Sequence, residues 1–347
     1  MPASHAPLKI AVVRFSALGD LVMVSAAVRR LRQCLPNAEI TWITSRLGQA
    51  LLQGMDGVTF EAHDKPRTLA DYRAFYRHYR TRRFDVVLAM QANLRINLLY
   101  PALKAPLKVG FDRVRAREGQ WLFTDRQIPF ADSHLMDSFL AFAQAAGADC
   151  DAPLEWPQTC DEADRAWAEA RLAGLPPPLV ALHPAASKAE RNWLPERYRE
   201  VMRLAAERWQ AGFVLTGASA DRDLCAGLAA SQPGRALGLS GQTTPGQLTA
   251  LLAQADVLVA PDTGPVHLAN AQGTPVVGLY AVAPATLTGP YGHAEFVVDR
   301  YPQAVRTLLH KEPEHLPWNT RVHHPGAMAL IEVDDVMTQL ARALERT

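Results

Sequence analysis

An acid, a hydroxyl, a glycine and a histidine stand close together in the segment LVAPDTGPVHLANAQGTPVVGLY. An apolar strand pattern ends at Asp262-Thr263-Gly264-Pro265, and a helical pattern that carries His267 follows. Aspartate and threonine are good helix N-caps, and glycine lets a phosphate approach the free N–H groups of a helix start. The junction therefore predicts either an ordinary helix cap or a site for the phosphate groups of a ligand.

A polar loop with several basic residues follows another strand pattern, residues 179–184. It contains Ser187, Lys188 and Arg191 and ends at Pro195, a residue favoured at the first position of a helix. Arginine binds a diphosphate with two parallel N–H donors, whereas lysine binds it as a point charge. We interpret the loop as a diphosphate site or as a solvated loop, and either Lys188 or Arg191 fits the first role.

Two acids follow the strand pattern of residues 212–217. Asp221 and Asp223 stand where a helix begins. Acids in a first turn complement the helix dipole, and they also accept hydrogen bonds from sugar hydroxyls. The residues alone favour the helix-dipole interpretation, with a site for sugar hydroxyls as the alternative.

The first strand pattern, residues 9–15, leads into the sequence RFSALGD, which contains Ser16, Gly19 and Asp20. This loop is not G-x-G-x-x-G, so a nicotinamide or flavin enzyme is disfavoured. Asp20 is either an ordinary first-turn acid or a general base.

Alternating strand and helix patterns must position these residues. Apolar runs typical of buried strands alternate with amphipathic stretches in both halves of the chain, which indicates parallel sheets covered by helices. Ligands of such sheets bind beyond the carboxyl ends of the strands. The predicted strands are 9–15, 39–44, 84–90, 179–184, 212–217, 256–261 and 274–280; the predicted helices are 19–36, 195–209, 244–255 and 333–346.

Length, charge and cysteine content narrow the class of protein. A chain of 347 residues predicts two domains. Residues 1–150 carry 20 lysines and arginines against 13 acids, and residues 151–347 carry 16 against 22, so the first half is suited to an anionic partner. No apolar run is long enough to span a membrane, and the N-terminus lacks a secretory pattern.

The chain has four cysteines, Cys34, Cys150, Cys160 and Cys225. Because no two of them form a C-x-x-C pair, we interpret all four as thiols in a reducing cytoplasm, not as a disulfide or zinc framework.

The motifs together resemble the ADP-heptose:lipopolysaccharide heptosyltransferases, glycosyltransferase family 9. The block PDTGPVHLANAQGTPVVGLY is highly specific, and matching pieces occur in the family's order over most of the chain. These pieces are RFSALGDLVMVSAAVRRLR, NAEITWIT, FDVVLAMQANLRINLL, KVGFDRVRAREGQWLFTDR, HPAASKAERNWLPERY and TGPYG. The resemblance implies an α/β fold of GT-B type, with two Rossmann-like domains whose parallel sheets face across a cleft.

The resemblance also implies a reaction and a place for it. It implies an inverting transfer of a heptose from ADP-heptose, or a similar nucleotide sugar, to a lipid A–core glycolipid, with no cofactor and no required metal. Asp20 matches the family's proposed catalytic base. The donor diphosphate would meet Asp262, Thr263, Gly264, Pro265 and His267 together with Lys188 or Arg191. Asp221 or Asp223 matches the family's acidic position near the nucleoside ribose, and the resemblance does not decide between them. Candidate acceptor residues are Ser16, Gly19, Gln91, Asn93, Arg95, Arg113 and Arg115.

We expect a cytoplasmic enzyme that docks on the anionic inner face of the inner membrane. Arg73, Arg77 and Arg80 recur at helical spacing beside Tyr72, Tyr76 and Tyr79, a strip suited to anionic lipid. The predicted domains are 1–174 for the acceptor and 175–330 for the donor, followed by a C-terminal helix, 331–347, that packs back on the first domain. The alternatives are a family transferase for another sugar or acceptor and a non-catalytic sugar-nucleotide-binding protein; nucleic-acid binding ranks last, since no reading motif is present.

Overall fold

Two six-stranded parallel sheets, one in each half of the chain, form the framework of the protein. The computed structural model describes residues 6–157 and 159–345, and the chain divides into the units Met1–Thr159 and Cys160–Thr347. Both sheets are covered by helices, as the alternating sequence pattern predicts. The predicted end of the last helix at Arg346 lies outside the described residues.

The first unit contains one sheet with the strand order β3-β2-β1-β4-β5-β6. The strands are β1 (Lys9–Val13), β2 (Glu39–Thr44), β3 (Val58–Ala62), β4 (Val86–Leu88), β5 (Leu107–Gly110) and β6 (Arg126–Gln127); the helices are α1 (Leu18–Cys34), α2 (Arg46–Leu52), α3 (Leu69–Tyr79), α4 (Leu94–Asn97) and α5 (Leu135–Ala145). Residues Ile10 to Val13 are wholly buried, because helices cover both faces of the sheet.

The second unit repeats this topology with the strand order β12-β11-β10-β7-β8-β9. Its strands are β7 (Leu179–Leu182), β8 (Gly212–Leu215), β9 (Ala236–Gly238), β10 (Val257–Pro261), β11 (Val276–Tyr280) and β12 (Val298–Asp299); its helices are α6 (Glu162–Leu172), α7 (Pro195–Trp209), α8 (Arg222–Ala229), α9 (Pro245–Gln254), α10 (Gly264–Ala271), α11 (Ala285–Thr288), α12 (Tyr301–Ala304) and α13 (Val333–Leu344). In each sheet the strand order reverses beside the first strand, between β1 and β4 and between β7 and β10. Such a switch point is where open parallel sheets bind ligands.

The division between the units lies at Thr159, before α6, whereas the sequence predicts it at residue 174. Helix α6 packs against α9 of the second unit. Gly246 permits this approach, because a Cβ there would lie 2.0 Å from Oδ2 of Asp164. The proline-rich segment that the sequence suggests as a linker therefore joins α6 to β7 inside one unit.

The C-terminal helix α13 packs on α7 and on strands β10, β11 and β12 of the second unit. The segment before it is anchored by Trp193, whose indole N–H donates to the Ile331 carbonyl at 3.0 Å. In the ranges that the structure describes, we find no helix whose length and apolar content would let it span a bilayer.

The interpretation of all four cysteines as free thiols is wrong. Cys34, at the end of α1, forms a disulfide with Cys150, and their Cα atoms lie 5.6 Å apart. Cys160 and Cys225 are free and buried. The packing of α1 against α5 brings the bonded pair together across 116 residues of sequence, a distance at which spacing gives no signal.

Candidate active site

Asp20 lies in the first turn of α1, just beyond the carboxyl end of β1, and Gly19 before it is buried in the same turn. The Oδ2 atom of Asp20 accepts a hydrogen bond from the Ala17 N–H at 2.9 Å and forms an ion pair with Arg14. The side chain of Asp20 remains 22% exposed. Both contacts use the same oxygen, and neither involves Oδ1.

Lys65 is a neighbour of Asp20 that the sequence analysis missed. Its Nζ donates to the Ser16 hydroxyl at 2.5 Å. Burial, and then the positive charges of Arg14 and Arg95, lower the pKa of Lys65, while the charge of Asp20 raises it. Three cations and one acid therefore share the carboxyl edge of the first sheet. Lys65 lies in the irregular segment between β3 and α3, where no periodicity or motif marks it.

Two of the predicted acceptor residues brace this edge. Gln91 is buried after β4, where its Oε1 accepts from the Phe15 N–H at 2.8 Å and its Nε2 lies 3.4 Å from the Ser16 hydroxyl. Asn93 caps α4 by accepting from the Ile96 N–H at 3.2 Å. These contacts position the strand ends and Ser16, and they give both residues a structural role.

The predicted arginines differ in their surroundings. Arg95 is exposed, and the exposed Arg113 lies over the Trp121 ring at 4.8 Å. Arg115 is only 4% exposed, and its guanidinium contacts three groups of the first unit, namely Asp112, Ser138 and the Pro129 carbonyl. Arg115 therefore stabilises the interior, while Arg95 and Arg113 present their charge to solvent.

In the second unit, two arginines share the carboxylate of Asp262. Arg191 donates to Oδ2 and to the backbone carbonyl of Asp262, each at 2.9 Å, and to the Ser187 hydroxyl at 2.9 Å. Arg321 donates to the same Oδ2 at 3.2 Å. Lys188 is exposed on the loop. Because two guanidiniums face one carboxylate, the group carries a net positive charge. Arg321 was missed by sequence analysis, since it lies in an irregular segment far along the chain.

The predicted junction after β10 is a strand end followed directly by a helix. Thr263 occupies the N-cap position of α10 with an extended backbone, and Gly264 and Pro265 are its first two residues. His267 is buried in the first turn, 5% exposed. The first-turn N–H groups of α10 therefore lie beside Asp262, and a helix N-terminus next to two arginines favours an anion.

The structure separates the two candidate nucleoside acids. Asp221 accepts from the Ala218 N–H at 2.7 Å, and its charge acts on His183, which follows β7. Asp223 is exposed in the first turn of α8. Burial lowers the pKa of His183 to about 4, against a smaller opposing effect of Asp221, so its imidazole is neutral at pH 7. The Nδ1 of His183 lies 2.9 Å from the Thr216 hydroxyl at the end of β8.

Comparison with known proteins places this arrangement in a family. The family model for glycosyltransferase family 9 (heptosyltransferase) matches residues 72–313. The lipopolysaccharide core heptosyltransferase OpsX of Haemophilus influenzae is 32% identical over 98% of both chains. The resemblance inferred from the motifs is thereby confirmed.

Solved structures confirm the fold. A glycosyl transferase family 9 protein from Veillonella parvula superposes with a TM-score of 0.78 at 19% identity, covering 98% of each chain. The Escherichia coli ADP-heptose lps heptosyltransferase II gives 0.74 at 21% identity, covering 98% of this chain and 99% of that one. The predicted α/β architecture of GT-B type is thus correct. The chain belongs to glycosyltransferase family 9, the heptosyltransferases, and is a glycosyltransferase.

Proposed function

We propose that this chain transfers a heptose from ADP-heptose to the core region of a lipopolysaccharide acceptor, with inversion at the anomeric carbon. The observation that carries the proposal is the 32% identity, over 98% of both chains, with a core heptosyltransferase. The likeness to a structure named for ADP-heptose supports the donor. Each unit presents, at its own switch point, groups that suit one of the two substrates.

The first unit suits the acceptor. Asp20 acts as the general base: its Oδ1 takes the proton of the acceptor hydroxyl as that oxygen attacks the anomeric carbon. Lys65, Arg14 and Arg95 surround it with positive charge, which fits an acceptor that carries anionic groups. Exposed Arg113 extends the charged surface. Arg14, through its ion pair, also fixes the orientation of the Asp20 carboxylate.

The second unit suits the diphosphate of the donor. As the new bond forms, the bond between the anomeric carbon and the diphosphate oxygen breaks, and negative charge develops on ADP. Arg191, Arg321 and the first-turn N–H groups of α10 at Thr263 and Gly264 stabilise that charge. Asp262 holds the two guanidiniums in position. These fixed cations supply the charge that a divalent metal provides in other transferases.

The nucleoside is assigned to the carboxyl ends of β7 and β8. Asp221, which neighbours His183, is the better candidate than Asp223 for the ribose hydroxyls. The neutral imidazole of His183 and the Thr216 hydroxyl form a hydrogen-bonded pair in the same place. This pair adds no charge, so the positive charge of the donor site is confined to the arginines that face the diphosphate.

Docking on an anionic membrane surface is the remaining part of the proposal. Arg73, Arg77 and Arg80 are exposed, as the helical spacing predicts. The tyrosines differ from prediction: Tyr79 is buried, and Tyr76, 40% exposed, donates to the Leu98 carbonyl at 2.8 Å. The exposed Leu94 and Leu98 add apolar surface next to this helix. Basic and apolar groups on one surface suit a lipid headgroup layer, and this supports docking on the cytoplasmic face of the inner membrane as part of the proposal.

The experiment compares Asp20→Asn with Asp71→Asn. Both acids accept backbone N–H groups at a helix start, so both variants lose the same kind of contact. We expect Asp20→Asn to lower transfer from ADP-heptose to a heptose-free core acceptor by about 10²–10⁴-fold. Its Kd for ADP should stay within about tenfold, or 1.4 kcal/mol. Asp71→Asn should retain full turnover.

Two results would contradict the proposal. If Asp20→Asn turns over like Asp71→Asn, Asp20 is not the base. If wild type transfers another sugar while leaving ADP-heptose untouched, the donor assignment fails and the alternative family transferase is correct. NMR of the product gives its anomeric configuration, and retention would exclude the inverting mechanism.

A further inference from the structure

Glu61, His63 and His78 form a cluster of metal-ligating side chains in the first unit. One ligand atom from each residue lies within 4.8 Å of the other two. We propose that this cluster is a binding site for one divalent transition-metal ion of the Zn²⁺ class. The sequence predicts no metal site, because its cysteines form no C-x-x-C pair. Glu61, His63 and His78 belong to no metal-binding motif.

Local structure explains why the three side chains meet. Glu61 lies in β3, and His63 comes two residues after Glu61, directly past the end of the strand, so both side chains point to the same face. His78 lies in the last turn of α3, which packs over that face. The rings of His63 and His78 are 5.3 Å apart and steeply inclined, at 74°. The sheet and the helix thus supply ligands from two directions.

The distances suit a small four-coordinate ion. The His78 Nε2 lies 3.4 Å from the Glu61 Oε2. Metal–nitrogen and metal–oxygen bonds of about 2.0–2.1 Å in tetrahedral zinc sites place neighbouring ligand atoms about 3.3 Å apart. The third ligand is a ring nitrogen of His63, which lies within 4.8 Å of the other two ligand atoms and would move closer to them on binding. A water would complete the set.

The chemistry of the donors selects the metal. Two imidazoles and one carboxylate suit Zn²⁺, Co²⁺ or Ni²⁺, whereas Mg²⁺ and Ca²⁺ prefer oxygen ligands. The Tyr79 hydroxyl donates to the Glu61 Oε2 at 2.5 Å and lies 3.0 Å from the His63 Nε2. Because Tyr79 is buried, its hydroxyl holds Glu61 and His63 in fixed orientations. Residues that hydrogen-bond to metal ligands commonly orient them in this way.

Arg82 sets the strength of the site. Its guanidinium pairs with Oε1 of Glu61, while Oε2 faces the histidines. A cation bound at Oε2 would meet the positive charge of Arg82 across one carboxylate. Removal of that charge should therefore strengthen metal binding, which is the opposite of what removal of a merely stabilising contact would do.

A metal ion at this site would restrain the segment that connects β3 to α3. β3 is the edge strand of the first sheet, and residues 63–68 connect it to α3. A metal bound to Glu61, His63 and His78 would tie the end of β3 to the last turn of α3, the helix into which this connection leads. Lys65 lies within the connection and reaches Ser16. The ion would thus restrain the start of the segment that carries Lys65, and its binding can be tested without any enzyme assay.

The experiment titrates the full-length protein, purified without a histidine tag, with Co²⁺ and Zn²⁺. We expect one Zn²⁺ per chain by calorimetry and the intense visible absorption of four-coordinate Co²⁺. His63→Gln and His78→Gln should each weaken Zn²⁺ binding at least tenfold. The matched control is His315→Gln, because His315 is an exposed histidine of the second unit. Arg82→Gln should bind Zn²⁺ several-fold more tightly, with circular dichroism showing that each variant is folded.

Three results would overturn the proposal. The first is wild-type protein that binds no Zn²⁺ at 100-fold molar excess. The second is binding that both histidine variants retain. The third is a Co²⁺ spectrum with thiolate-to-metal charge transfer, which would assign the ion to Cys160 or Cys225. Because His78 is half exposed, its substitution leaves the core of the first unit intact and keeps the comparison interpretable.

Discussion

Arg191 holds Asp262 at two points: its Nη1 lies 2.9 Å from the carboxylate Oδ2 and 2.9 Å from the backbone carbonyl of the same residue. The carboxylate of Asp262 is therefore paired with arginine. It fixes Arg191 and Arg321 beside the start of α10. The sequence left open whether Lys188 or Arg191 binds the diphosphate, and this contact favours Arg191.

Loss of Arg321 should weaken ADP binding. A hydrogen bond to a charged group contributes about 1.5–3 kcal/mol, so Arg321→Ala should raise the Kd for ADP about tenfold or more, measured by calorimetry. Arg199→Ala removes an exposed arginine from α7 and is the matched control. Equal affinities in the two variants would remove Arg321 from the donor site.

Lys65 should act on the acceptor alone. Lys65→Ala removes the cation bonded to Ser16 beside Asp20, and we expect kcat/KM for the acceptor to fall about 10–100-fold while ADP affinity is unchanged. Steady-state kinetics with varied acceptor measures this. The control is Lys104→Ala, an exposed lysine of the same unit. A similar loss in both variants would show a general charge effect.

His183 should make stability depend on pH. Its pKa of about 4 in the folded protein lies below the value of 6.5 for an unperturbed histidine, so the unfolded chain binds more protons between these values. Its contribution is complete above pH 6.5 and is lost as the pH falls to 4, by about 3 kcal/mol in total. His183→Gln does not titrate, so calorimetry should show wild type losing stability faster than this variant. Parallel profiles for the two proteins would refute the assignment, and His315→Gln should follow wild type.

The disulfide should lower the number of free thiols that can be counted in the unreduced protein. Denatured, unreduced protein should expose two free thiols per chain, from Cys160 and Cys225, and four after reduction. Cys34→Ser with Cys150→Ser should lower the free energy of unfolding by about 2–4 kcal/mol, seen as a lower Tm. Reductant should lower the Tm of wild type and leave the double variant unchanged. Four thiols in the unreduced protein would exclude the bond.

The basic surface of α3 should bind anionic vesicles. Arg77→Gln with Arg80→Gln should weaken binding to phosphatidylserine-containing vesicles by about 1 kcal/mol per arginine and reduce the dependence on salt. Arg199→Gln with Arg208→Gln, on the exposed face of α7, is the control. Co-sedimentation at two salt concentrations measures both. Binding that falls equally in the two variants would contradict a specific docking surface.

The sequence by itself determined the family and the most regular of the strands and helices. Continuous apolar runs such as residues 257–261 predict strands buried on both faces, and Pro195 predicts the start of α7 correctly. Asp20 and the Asp262–Gly264 junction became candidate site residues because polar residues directly after strands must lie at one edge of a parallel sheet. These signals depend only on residues that are close together in the chain, so they can be recognised in the sequence.

Only the tertiary structure decided which side chains meet. Lys65 reaches Ser16 from a loop 49 residues away, Arg321 reaches Asp262 across 59 residues, and Cys34 bonds Cys150 across 116. Such contacts arise from the order of strands and the packing of helices, so no spacing in the chain records them. Burial is also decided by the tertiary structure. The sequence suggests that Arg115 is a surface cation, but the folded first unit buries it, and its guanidinium donates hydrogen bonds to groups of that unit such as the Pro129 carbonyl.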